Sequence, residues 1–155
     1  MKTLILGIGN PLLRDDGVGI HVIRKMRELN LPDNIYVSEA SVAGLDLLDF
    51  IIDYQRVIIV DAIKTEEGEP GEIYRLKPQE LPKSQNIRST HVLDLPTVLE
   101  TGRILMEERM PEDIIIYAIE IEDCTTFDEK CTQKVEESIP RVIQLILDDL
   151  GIERM

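Results

Sequence analysis

Short apolar runs and helix-like apolar periodicities alternate along this chain from its first residues to its last. Runs such as Thr3–Leu6 and Val57–Val60 carry no charge, which is typical of strands that helices cover on both faces. Between the strands, apolar residues recur every three or four positions, as on one face of a helix. This alternation predicts a three-layer α/β domain with a mostly parallel five-stranded sheet. The 155 residues fit a single domain spanning residues 1–155.

The predicted elements follow the order β-α-β-α-β-β-α-β-α. Strands are predicted at Thr3–Leu6, Ile35–Val37, Val57–Val60, Ile73–Leu76 and Asp113–Ile119, and helices at Asp16–Leu29, Leu45–Ile52, His91–Met106 and Asp128–Leu150. The fourth strand alternates apolar with polar residues, which is typical of an exposed or edge strand. Pro78–Thr90 is polar and reads as a long irregular connection. Pro140 falls inside the last helix and predicts a kink or two abutting segments there.

The charge balance excludes one large class of partner. Thirty acidic and seventeen basic residues give a formal net charge of -13. A field of this sign repels phosphate backbones, so we expect no nucleic-acid partner. The sequence also contains no long uncharged apolar stretch and no secretory signal, so we expect a cytoplasmic protein, monomeric and without a membrane contact.

Three ionisable residues occur at or near the predicted carboxyl ends of strands or before a helix. Asp16 follows the turn after the first strand, Asp61 comes directly after Val57–Val60, and His91 closes the polar connection. Ligands of open parallel sheets bind at that edge. Two carboxylates and one imidazole suit a borderline divalent cation such as Ni²⁺ or Zn²⁺, and three protein ligands leave positions for water or substrate.

Each of the three residues also fits a purely structural role when it is considered alone. Asp16 could be an acid in the first turn of a helix, Asp61 an N-cap or a loop carboxylate that backbone amides satisfy, and His91 a helix cap or an exposed side chain. Asp61 is the most informative, because a carboxylate after four apolar strand residues requires a cation, donors or a proton. His21 falls inside the first helix, and we interpret it as structural or solvent-facing.

Dinucleotide binding is the main competing motif. Gly7-Ile8-Gly9 lies between a strand and a helix, and Glu39 ends the second strand, where a ribose-binding acid could lie. However, Leu12 replaces the third glycine, Pro11 lacks an amide donor, and acidic residues at the helix start would repel a pyrophosphate. These features argue against the dinucleotide interpretation.

Nucleophilic catalysis has little support in the sequence. It contains no GxSxG motif, and Cys124 and Cys131 match no CxxC pattern. Ser41 and Ser89 are candidates only by elimination, and the cysteines are expected to be ordinary reduced side chains.

The segment from Gly7 to Gly19, GIGNPLLRDDGVG, resembles the N-terminal signature of the hydrogenase maturation proteases. The similarity continues through AGLDLL from Ala43 to Leu48, VIIVDA from Val57 to Ala62, and Ser89-Thr90-His91. It covers most of the chain in the family's order. Glu39-Ala40-Ser41-Val42 departs from the D-G-G-T of some members, so no role for an acid in that block carries over to Glu39.

The resemblance implies an endopeptidase that removes the C-terminal extension of a nickel-loaded [NiFe]-hydrogenase large-subunit precursor. In that family an acid of the first block, the aspartate after the third strand and the later histidine bind nickel or a surrogate metal. These roles carry over to Asp16, Asp61 and His91. The nickel would arrive with the substrate, zinc or cadmium could replace it, and Asp16 and Asp61 would be catalytic.

Two other functional classes remain compatible with the sequence. The chain could be a metallopeptidase that holds its own zinc and cleaves small peptides. It could also be a non-catalytic module that binds metal-loaded partners.

Overall fold

The computed structural model describes residues 1–41, 44–81 and 90–153. For residues 90–94 it describes only the helical backbone. The described residues form five strands and four helices. The strands are β1 (Thr3–Ile8), β2 (Ile35–Ala40), β3 (Arg56–Ile63), β4 (Ile73–Leu76) and β5 (Asp113–Glu120). The helices are α1 (Val18–Met26), α2 (Leu48–Ile51), α3 (Thr90–Met106) and α4 (Gln133–Leu150). Short 3₁₀ turns lie at Arg14–Gly17, Gly44–Leu47, Pro78–Glu80 and Glu107–Arg109.

The five strands form one sheet in the order β2-β1-β3-β5-β4. β2, β1, β3 and β5 are parallel, and β4 pairs antiparallel with β5 at the edge. The predicted mostly parallel five-stranded sheet and the predicted edge position of the fourth strand are therefore both confirmed. From β1 the chain continues to β2 at one edge of the sheet and then crosses to β3 on the other side of β1.

Helices cover the sheet on both faces, as the uncharged strands predict. One face packs against α1 and α4 through buried residues that include Ile5, Ile58 and Tyr117. The opposite face packs against α2 and α3 through residues that include Leu6, Ile59 and Ile116. Consecutive strand residues alternate between these two cores, because side chains of a strand point to opposite faces.

The helix α1 lies unusually close to the sheet at two glycines. A Cβ atom added to Gly19 would lie 2.4 Å from the carbonyl oxygen of Val60 and 2.8 Å from that of Ile8. A Cβ atom added to Gly7 would lie 2.3 Å from the carbonyl oxygen of Gly19. These distances are shorter than those of real Cβ contacts, so the packing of α1 against the sheet requires glycine at both positions.

Several boundaries differ from the sequence-based prediction for identifiable reasons. α1 begins at Val18 rather than at Asp16, because Arg14–Gly17 forms a 3₁₀ turn first. α4 begins at Gln133 rather than at Asp128 and continues through Pro140 as one helix. α3 begins at Thr90, within one residue of its predicted start. Residues 82–89 of the predicted irregular connection lie outside the described residues.

Within the part of the chain that the structure describes, no helix has the length and apolarity that a bilayer span requires.

We predict that Gly19→Ala lowers the free energy of unfolding by about 2 kcal/mol, because the overpacking of α1 against β1 and β3 outweighs the helix propensity that alanine gains. Urea unfolding followed by circular dichroism measures this loss. Gly151→Ala is the control. Gly151 has φ +67° and no atom lies within 4 Å of an added Cβ, so this variant measures the cost of backbone strain without a steric clash. Wild-type stability of the Gly19→Ala protein would contradict the close packing.

Candidate active site

The carboxyl ends of β1 and β3 lie side by side at the point where the order of strands along the sheet reverses. β2 lies beyond β1 on one side, and β5 and β4 lie beyond β3 on the other. The β1–β3 ladder ends with Gly7 opposite Val60. β3 continues beside β5 as far as Ile63. The end of β1 therefore leaves a notch beside the last residues of β3, at the topological switch point where open α/β sheets bind ligands.

The turn after β1 places Asp16 at this notch. The backbone N–H of Asn10 donates to Oδ2 of Asp16 over 2.9 Å. Gly9 has φ +146°, and a Cβ atom there would lie 2.1 Å from the carbonyl oxygen of Asp16. The turn thus folds back onto the end of β1, and only glycine allows the approach. The Asp16 side chain is half-buried at the rim.

Asp61 lies within β3, two residues before its end, and is 1% exposed. The sequence predicted that Asp61 comes directly after the strand. The strand is longer because β5 continues to pair with β3, with Asp61 opposite Ala118. Side chains two residues apart in a strand point to the same face of the sheet. Asp61 therefore lies on the same face as Ile59 and Ile63, which α2 and α3 cover. Its Oδ1 accepts the N–H of Ala62 over 2.8 Å.

Asp16 and Asp61 lie on elements that contact each other, and His91 lies on a helix that packs against the strand of Asp61. The 3₁₀ turn that carries Asp16 contacts β3, and α3 contacts β3 from the face to which Asp61 belongs. His91 is the second residue of α3, and its side chain lies outside the described residues. Among the side chains that are described, no three His, Cys, Asp or Glu residues form a metal-binding group.

Asp16, Asp61 and His91 are the residues of this region that could hold a divalent cation. Carboxylate oxygens from Asp16 and Asp61, with an imidazole nitrogen if His91 joins them, form a mixed oxygen and nitrogen set that nickel and zinc accept. Asp16 is half-buried and Asp61 is almost fully buried, so the two carboxylates would bind a cation from different depths below the surface.

Cys131 does not have the properties of a nucleophile. Burial, and next the charge of Asp15, raise the pKa of the Cys131 thiol to about 12. The thiol of Cys131 donates instead to the carbonyl oxygen of Arg14 over 3.8 Å. Cys131 is therefore a neutral, packed side chain at physiological pH. Ser41 is exposed after β2, and Ser89 lies outside the described residues.

Glu39 belongs to an ion-pair cluster rather than to a ribose site. Its carboxylate accepts from Arg24 of α1 over 3.1 Å and from Arg27, the residue that follows α1, over 2.7 Å. The hydrogen bond from Arg24 is the main cause that holds the pKa of Glu39 below its ordinary value, against the opposing effect of burial. These pairs connect β2 to α1 and give Glu39 a structural role.

His21 lies on α1 and is partly buried, and its Nε2 atom is enclosed without a hydrogen-bond partner among the described residues. The structural or solvent-facing role that the sequence indicates for His21 stays a prediction.

Sequence reasoning missed two buried carboxylates near the notch, Asp15 and Glu120. Glu120 ends β5, is 1% exposed, and accepts the hydroxyl of Thr65 over 2.6 Å and that of Tyr74 over 3.0 Å. The signal that identified Asp61, a carboxylate following an apolar strand, is also present at Glu120. Asp15 gave no such signal because it resembles an ordinary acid of a first helical turn.

Comparison with known proteins identifies the family of this fold and site. The family model for hydrogenase maturation proteases matches residues 20–149. The chain belongs to the hydrogenase maturation protease family. The hydrogenase 2 maturation protease of Escherichia coli is 33% identical over 109 residues, which cover 69% of this chain and 66% of that protein. A Methanocaldococcus jannaschii relative with the same family name is 30% identical over 95% of both chains.

Solved structures of hydrogenase maturation proteases have the same fold. The hydrogenase-maturating endopeptidase HybD of Escherichia coli superposes with a TM-score of 0.83 at 26% identity, over 97% of this chain and 93% of that one. The Thermococcus kodakarensis HybD protease superposes with a TM-score of 0.77 at 25% identity, over 97% and 99% of the two chains. The resemblance that the Gly7–Gly19 segment indicated is thus confirmed for the family and for the α/β fold.

We predict that Glu39→Gln lowers the free energy of unfolding at pH 7 by at most about 1 kcal/mol, because its arginine partners are partly exposed. A carboxyl group with a lowered folded-state pKa stabilises the protein above its unfolded-state pKa and loses this effect as the pH falls through the folded-state value. The difference between variant and wild type should therefore disappear toward pH 3 in urea unfolding experiments. A difference that persists at acid pH would contradict the ion-pair explanation.

Proposed function

We propose that this protein is an endopeptidase that removes the C-terminal extension of a [NiFe]-hydrogenase large-subunit precursor already loaded with nickel. The observation that supports this proposal most is the position of Asp16 and Asp61 beside the carboxyl ends of β1 and β3, at the switch point of a maturation-protease fold. The family of the chain supports the protease activity, and the donor atoms support a metal-directed reaction.

The nickel belongs to the substrate in this proposal. Asp16, Asp61 and His91 would supply ligands to the ion that the precursor carries and would thereby fix the scissile amide next to the protease. Cleavage would then depend on successful nickel insertion, because an empty precursor offers no ion to bind. Zinc or cadmium could occupy the same ligands in place of nickel.

The different burial of the two carboxylates supports different contributions to hydrolysis. Asp61 is almost fully buried and receives a backbone hydrogen bond, which favours a fixed ligand. Asp16 lies at the rim, where a water molecule and a peptide can reach it. We assign to Asp16 the role of general base: it would take a proton from the attacking water, which adds to the carbonyl carbon, and the proton would then pass to the departing amide nitrogen.

The charge of the chain supports a protein partner rather than a nucleic acid. A net charge of -13 favours association with a basic surface and disfavours polyphosphates. The precursor is the partner that we propose, with the protease acting as a monomer in the cytoplasm.

We predict that Asp16→Asn, Asp61→Asn and His91→Ala each reduce processing at least about a hundredfold while the proteins remain folded, because each removes a ligand or the base. The assay incubates purified protein with nickel-loaded precursor and measures loss of the C-terminal extension by mass spectrometry. Glu39→Gln, the same type of acid-to-amide change outside the notch, should process normally.

Normal trimming by the His91→Ala variant would contradict its assigned role. Two further outcomes point to the other functional classes. A stoichiometric zinc ion retained by the purified protein, with cleavage of small peptides, would indicate a self-contained metallopeptidase. A stable complex with the precursor and no loss of mass would indicate a non-catalytic binding module.

A further inference from the structure

Asp15 is a fully buried carboxylate in the same 3₁₀ turn as Asp16. Its exposed fraction is 0%, and no Lys or Arg of the described residues forms an ion pair with it. A carboxylate in such a position requires hydrogen-bond donors, because the loss of hydration is otherwise very costly. The donors that it has reveal what the residue does.

All donors to Asp15 come from the connection between β5 and α4. Oδ2 accepts the backbone N–H groups of Glu122 and Asp123, each over 3.0 Å, and the hydroxyl of Thr132 over 2.8 Å. Oδ1 accepts the backbone N–H of Thr132 over 2.7 Å. One carboxylate thus holds two residues near the start of this connection and its last residue.

The Thr132 hydroxyl is committed to this contact. Thr132 is the N-cap residue of α4, yet its side chain makes no capping hydrogen bond to the helix. A threonine at this position ordinarily caps the helix with its hydroxyl. Here the hydroxyl points to Asp15 instead, which connects the start of α4 to the 3₁₀ turn.

Backbone hydrogen bonds join the same two segments on both sides of Asp15. The N–H of Arg14 donates to Asp128 over 2.9 Å, and the N–H of Asp15 donates to Asp123 over 3.0 Å. Arg14 has φ +51°, a left-handed conformation that a non-glycine residue keeps only when its surroundings fix it. The bonds to Asp15 and its neighbours therefore hold a strained turn in the shape that directs Asp16 toward the notch.

We propose that Asp15 and Thr132 are positioning residues, which act on the reaction by fixing the turn that carries Asp16. Asp15 is enclosed by its donors and does not contact the substrate. Its effect passes through the orientation of the neighbouring carboxylate. This inference rests on the proposed function of Asp16 as the general base.

Thr132→Val tests the inference with a small change, because valine keeps the β-branched shape and removes only the hydroxyl. We expect kcat for precursor processing to fall about tenfold, with KM changed less than about twofold. Thr132→Ser restores the hydroxyl and should recover most of kcat. Ser138→Ala is the control, since it removes another buried hydroxyl of the same helix whose partner is the Val135 carbonyl oxygen.

A second readout does not depend on proteolysis. The N–H of Asn10 donates to Oδ2 of Asp16, so its hydrogen exchange reports where that carboxylate lies. In Thr132→Val this amide should exchange about tenfold faster relative to the amides of β1, whereas Thr132→Ser and Ser138→Ala should leave it at the wild-type rate.

The outcomes separate this inference from the proposed function. A wild-type protein that cleaves no precursor overturns the proposed function, and Asn10 exchange still decides whether Thr132 positions Asp16. Unchanged kcat and unchanged Asn10 exchange in Thr132→Val overturn the positioning inference while processing stands. An equal loss of kcat in Ser138→Ala would also overturn it, because the effect would then reflect general destabilisation.

Discussion

The pairing of β3 with β5 extends further along β3 than its pairing with β1, and the rest of the structure depends on this difference. β1 pairs with β3 only as far as Val60, whereas β5 pairs with β3 as far as Ile63. The difference leaves one side of β3 without a strand at Asp61. α1 can return over this end because Gly7 and Gly19 let the helix approach the sheet closely. The notch and the turn that carries Asp16 follow from this arrangement.

Three buried carboxylates near the carboxyl edge accept hydrogen bonds from backbone N–H groups or hydroxyls. Asp15 and Glu120 receive their hydrogen bonds from backbone N–H groups and hydroxyls, and both connect separate segments of the chain. Asp61 receives a backbone N–H from its own neighbour. Buried carboxylates that are held in this way can serve either to fix a loop or to bind a cation, and their position relative to the notch separates the two uses.

The sequence predicts the fold well because its signals are local: apolar runs define the strands, and the alternation with helices defines the parallel sheet. It locates Asp61 and Asp16 near the correct edge for the same reason. The extension of β3 beyond Val60 depends on pairing with β5, which no local pattern encodes. The role of Asp15 also escapes a sequence reading, because its donors lie more than a hundred residues later at Thr132. Contacts between distant segments, rather than residue types, decide which acid is structural.

The central claim is that Asp16, Asp61 and His91 converge on one divalent cation. Anomalous diffraction from crystals of the protein soaked with cadmium, collected for the wild type and for Asp61→Asn, tests it most directly. The account predicts one strong anomalous peak in the notch, with oxygen ligands from both aspartates and a nitrogen ligand from His91, and its loss in the variant. A peak bound by other residues, or one at the notch that persists in Asp61→Asn, would contradict the account.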